Sequence, residues 1–175
     1  MLIAKEKKEK NIAEYILYMW QVEDLLRSLD FSMEKVEEVI VVQYKEDEMI
    51  KEEIREWYKG LIEQMHEEGV EKSGHLSFVK ETTRELEELH RQMINDKDEA
   101  KYRELVKWAG PNLKELREKS GDPSMSDIEV SFTALYGLLL LRLQNREISP
   151  DTDQAVSTIR NMLAYLSGKY MQRDG

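Results

Sequence analysis

Residues 128–143 read I-E-V-S-F-T-A-L-Y-G-L-L-L-L-R-L, and no other stretch constrains the fold of this chain as much. Wound as a helix, the segment carries apolar side chains on every side, a pattern that belongs in an interior. Its ten large apolar side chains would contribute roughly 15 to 30 kcal/mol gross on full burial. Ordering its sixteen residues costs on the order of 24 kcal/mol. Such a helix holds its shape only when neighbours wrap it, so the sequence predicts a fold built around it.

A membrane span would need about 20 apolar residues. Here the unbroken apolar run extends only from Ala134 to Leu141, between Glu129 and Arg142. Ser126 and Glu129 also stand at capping-box spacing, where each side chain can satisfy the other's backbone N–H. The stretch therefore reads as a buried helix of a soluble protein. With 175 residues, one domain can bury about 70% of its unfolded surface, and residues 1–175 read as a single helical domain.

There is no cysteine, which excludes disulfides and thiolate metal sites and fits a reducing cytoplasm. The opening M-L-I-A-K-E-K-K-E-K lacks the apolar core of a secretory signal. The formal charge is −10, and residues 31–70 hold twelve acidic side chains against five basic ones. A field of this sign repels phosphate backbones, so no nucleic-acid partner is expected. Three prolines and eight glycines interrupt a sequence rich in Glu, Lys, Leu and Met, which is helical composition.

Helical periodicity then partitions the chain. Ile12, Tyr15, Ile16, Met19, Val22, Leu26 and Leu29 share one face of a helix over 11–29. Glu23 interrupts that face, and Arg27, four residues on, is its predicted partner. Ser32 caps a short helix reaching about Tyr44, although V-I-V-V within it also reads as a strand. A long amphipathic helix follows from 47 to 68, stopped by Gly69, then another from 76 to 94. Residues 98–119 keep a helical period around Pro111, which predicts a kink or break at Ala109–Gly110. The last helix starts with Ser149 as cap and Pro150 as first residue and ends at Gly168, with 171–175 expected to fray. Trp20, Trp57 and Trp108 sit among apolar residues and are expected in the core. The fold class is all-α: a single compact bundle of six or seven helices around the hydrophobic helix at about 128–143. The first, third, fourth and last helices are expected to enclose it.

Two segments carry a resemblance. They are Ile3 to Leu25, with I-A-K-x-K and N-I-A-E-Y-I-L-Y-M-W-Q-V-E-D-L, and Phe132 to Pro150, with F-T-A-L-Y-G, R-L-Q and I-S-P. E-W-Y around Trp57 and G-H-L at Gly74–Leu76 agree with them. The chain resembles an uncharacterised bacterial family of the Bacteroides type, catalogued only as a domain of unknown function. The resemblance covers nearly the whole chain and implies a bacterial source and a single family domain. It transfers no activity, cofactor or catalytic residue.

Candidate sites come from the residues themselves. Glu63 with His66 and Glu87 with His90 are two Glu-x-x-His pairs, the pattern that di-iron carboxylate bundles use with two further glutamates. If the chain turns near Lys72, the two histidines lie about twelve residues out of register, roughly 18 Å along a hairpin. Metal ligands bind at about 2.0 to 2.2 Å, so a shared ion is disfavoured and both pairs read as solvated faces. His66 with His75 across the turn is a smaller metal-binding variant. Glu23 on an apolar face could act as a base or ligand, against a plain Glu23–Arg27 pair. Thr133, Ala134 and Gly137 form a small-residue notch. It reads either as close approach of a neighbouring helix or as the floor of a small pocket walled by Tyr136, Tyr15 or Tyr18.

No nucleophile motif, glycine-rich phosphate loop or cofactor signature is present. The sequence leads to a cytoplasmic, non-enzymatic protein-interaction or scaffold module that binds a protein partner or itself. It expects no cofactor and no membrane. The alternative is a metal- or small-ligand-binding helical enzyme using carboxylate and histidine side chains.

Overall fold

Caps written into the sequence start several helices. Ser32, Asp47 and Ser126 each sit in extended backbone and accept an N–H from the first turn that follows. Ser149 does the same for the N–H of Thr152. The computed structural model describes residues 2–173, all-α throughout, with eight α-helices among the described residues. They are α1 (Leu2–Lys10), α2 (Ile12–Ser28), α3 (Met33–Val39), α4 (Glu48–Glu67), α5 (Ser77–Asn95), α6 (Ala100–Ser120), α7 (Asp127–Leu143) and α8 (Pro150–Arg173). The helix beyond the expected six or seven is α1. Six of its nine residues are charged, and ion pairs four residues apart, Lys5–Glu9 and Lys10–Glu6, support it. Asn11 separates it from α2, because its side-chain oxygen accepts the N–H of Ala13 at 3.1 Å and so caps α2.

Packing divides the chain into two compact units, residues 1–10 with 14–81 and residues 11–13 with 82–175. In the first, α2 buries Tyr15, Ile16, Met19, Val22 and Leu26, as its period requires. The V-I-V-V run is no strand. It ends α3 and continues as a short 3-10 helix, Val41–Gln43, with Val36, Ile40 and Val41 buried. Arg55 ties α4 to α3 through two hydrogen bonds to Glu37, at 2.7 and 2.9 Å. The same guanidinium reaches Glu48 and Glu52, answering part of the acidic excess of this region.

In the second unit α6, α7 and α8 pack on one another. Tyr102, Ala109 and Leu113 of α6 and Val156, Ile159, Met162, Leu163 and Leu166 of α8 are buried. No break occurs at Pro111, and α6 runs through it. The proline deprives only the carbonyl of Lys107, an exposed residue whose carbonyl water can satisfy. Trp108 is not in the core but 65% exposed. It precedes buried Ala109 by one residue, a step of about 100° round the helix. Helix α8 continues through Gly168 to Arg173, because contacts on both sides of the glycine hold it. Tyr165 and Lys169 reach Glu99, and the Tyr170 hydroxyl bonds Glu85. The expected fraying from Met171 is therefore not seen up to Arg173; residues 174–175 lie outside the described ones.

The largest departure concerns α7. Ile128, Val130, Phe132 and Leu138 are buried, but Thr133 and Gly137 are exposed. Leu135, Leu139, Leu140 and Leu141 are only partly covered, and Leu143 is 65% exposed. The rod is central to its unit's packing without being enclosed on all sides. Covering a helix whose apolar residues point all round takes neighbours all round, and α6 and α8 cover only part of its surface.

Candidate functional site

The apolar face of α2 carries Glu23 inward, and its side chain is fully buried. A buried carboxylate needs donors, and it finds them in the loop before α5. His75 Nδ1 lies 2.5 Å from one oxygen, and the N–H of Leu76 donates to the other at 2.8 Å. The His75 ring stacks on Trp20, with centroids 4.1 Å apart and planes 9° from parallel.

Arg27 is not the partner of Glu23. Its guanidinium donates to the carbonyl of Val70 at 2.9 Å and of Gly74 at 2.5 Å, and to Asp24 at 2.8 Å. The rigid fork suits carbonyls that no helix satisfies. Glu68 completes the arrangement by accepting both the N–H and the hydroxyl of Ser77, each at 2.6 Å. Two carboxylates thus meet the positive start of α5, and Glu23, Arg27 and Glu68 pin one loop. Nδ1 of His75 faces a buried acid while the ring stays partly exposed, a carboxylate-oriented imidazole of the kind used to hold protons or metals.

The remaining histidines are separately engaged. His66 and Glu63 are exposed on α4, and His66 Nδ1 meets Glu71 at 3.2 Å rather than His75. His90 is buried, not on a solvated face. Its Nδ1 lies 2.6 Å from the hydroxyl of buried Tyr102, and its Nε2 lies 3.7 Å from Asp127. Its place four residues after Leu86, beside Leu89, was the sequence signal for this. The nearby His90 imidazole does most to hold the Asp127 carboxyl below the usual range; burial opposes the shift and Arg117 assists it. Glu87 accepts the Ser126 hydroxyl at 2.6 Å. Among the described residues no three His, Cys, Asp or Glu side chains gather as a metal site would require.

The small-residue notch is not a helix contact; it lines a small apolar groove, but without the expected tyrosine walls. A Cβ placed on Gly137 would meet nothing within 4 Å, so no helix approaches there. The glycine lines a groove of about 320 Å³ with Leu116, Met125, Ala134, Leu138 and Leu141, and Tyr136, Tyr15 and Tyr18 are not in its lining. Tyr15 is buried beneath Lys8, whose Nζ lies 5.6 Å from the ring centroid. Tyr18 lines a different cavity, of about 350 Å³, together with Tyr44 and Tyr58. Burial pushes the Tyr18 phenol up to about 12 and raises those of Tyr44 and Tyr58 as well, so all three stay protonated donors at neutral pH.

Comparison with curated proteins and with solved structures finds no match. One family model, described as "Domain of unknown function (DUF4924)", matches residues 1–175.

Proposed function

Because the chain belongs to this family of unknown function, its role is read from its own geometry, and we propose that it is a self-associating helical interaction module. The observation that carries the reading is α7, the most apolar helix of the chain, left with an uncovered flank. The groove there is floored by Ala134 and Gly137, which let another helix come close. Its lining holds Lys119 and no carboxylate. In a chain of net charge −10, a second copy approaching this groove meets none of the acidic excess in its lining. The occupant is the same face of a second copy, in a two-fold contact. The bacterial cytoplasm is the setting we assign. The absence of cysteine supports it, and no helix among the described residues is long and apolar enough to cross a membrane.

Gly137→Arg is the direct test, because the new side chain meets open space in the single chain and blocks the contact. Replacing a helical glycine should raise the melting temperature slightly, by up to about 1 kcal/mol of stability. Light scattering should show the parent near twice its 20.7 kDa chain mass and the variant near one chain. A parent that stays monomeric at high concentration, or a variant that still pairs, overturns the reading.

A further inference from the structure

The cavity in the first unit is built differently from the groove on α7. Ile3, Val22, Leu25 and Ile40 supply apolar walls from α1, α2 and the residue that ends α3, while Tyr18, Tyr44 and Tyr58 bring three hydroxyls. All three of these tyrosines line the one cavity, so three phenol groups share its space. At about 350 Å³ the space falls within the range of small-molecule sites, which pair apolar walls with a few convergent polar groups. No charged side chain lines it among the described residues, so an ionised ligand would lose water without gaining a counter-charge.

We propose that this cavity binds a neutral, mostly apolar small molecule bearing one hydrogen-bond-accepting oxygen, such as a ketone, which the tyrosine cluster holds by its hydroxyls. Val39 lines the cavity yet is 48% exposed, which places it at the mouth. The proposal is independent of self-association, which concerns the other unit.

The probe is Prodan, a neutral aminonaphthyl ketone whose emission reports both polarity and hydrogen bonding to its carbonyl. Titrated with the full chain, it should show saturable one-to-one binding with blue-shifted emission. Val39→Trp, which blocks the mouth from a half-exposed position, should weaken binding by at least about tenfold. Tyr58→Phe, which removes one hydroxyl and keeps the ring, should weaken it by about three- to tenfold. Val42→Trp, at an exposed position outside the lining, and Gly137→Arg should bind like the parent. Absence of saturable binding overturns the proposal. So does undiminished binding to Val39→Trp, or loss on Gly137→Arg alone, which would put the dye on α7.

Discussion

Arg27 and Glu23 stand one turn apart on α2, and that spacing invites the assumption that they neutralise each other. The loop between α4 and α5 outcompetes the local pairing. It offers two unsatisfied carbonyls to the guanidinium, and an N–H with an imidazole to the carboxylate. Each side chain therefore has its own work. Arg27→Met should cost about 1.5 to 3 kcal/mol, as expected for hydrogen bonds to a charged group. Glu23→Ala should cost about 1 to 3 kcal/mol, as expected when the buried N–H of Leu76 is left without its acceptor. Urea unfolding measures both. If the two were partners, the double variant would be little worse than the poorer single one; separate roles predict a clearly larger loss. That Glu23 matters was legible from a carboxylate on an apolar face. Its partner was not, because His75 lies 52 residues further along and no local pattern connects them.

At the scale of the element, helix starts were readable where the capping group is local and hidden where it is distant. Ser126 and Glu129 form the full capping box that their spacing announces. The Ser126 hydroxyl also donates to Glu87 across the α5–α7 contact, at 2.6 Å. Ser126→Ala should therefore fall at the upper end of the usual cap loss, nearer 2 than about 0.5 kcal/mol. Ser32→Ala, whose cap bond is 3.3 Å long and exposed, should fall at the lower end. Equal losses in thermal unfolding would show that the Glu87 contact adds nothing. The start of α5 has no such signature, since its carboxylates come from Glu23 on α2 and Glu68 at the end of α4. Pro111 teaches the converse: an apparent helix breaker is carried through when the carbonyl it strands belongs to an exposed residue and Ala109 and Leu113, two residues away on either side, are buried.

For the molecule as a whole, acid titrates two opposed effects. Protonating carboxylates relieves the repulsion within a chain of net charge −10. It also removes those carboxylates whose folded environment favours the charged form. Asp127 is one, held low by the nearby His90 imidazole and assisted by Arg117 against the opposing effect of burial. A lowered folded value means its contribution is complete above the ordinary carboxylate pKa of about 3.9. That contribution is lost as pH falls through the lower folded value. Asp127→Asn should thus reduce stability at neutral pH and flatten the acid limb of a plot of urea midpoint against pH. A variant with the parent's acid limb would remove Asp127 from that role. By itself the sequence determined the helical class, most helix boundaries, the local caps and the residues too apolar to leave in water, because each follows from neighbours within one or two turns. Only the tertiary structure decided that α7 keeps a bare flank, that His90 is inside, that Trp108 is outside, and that three tyrosines share one cavity. Periodicity reports which side of a helix prefers burial, whereas cover depends on where distant helices come to rest.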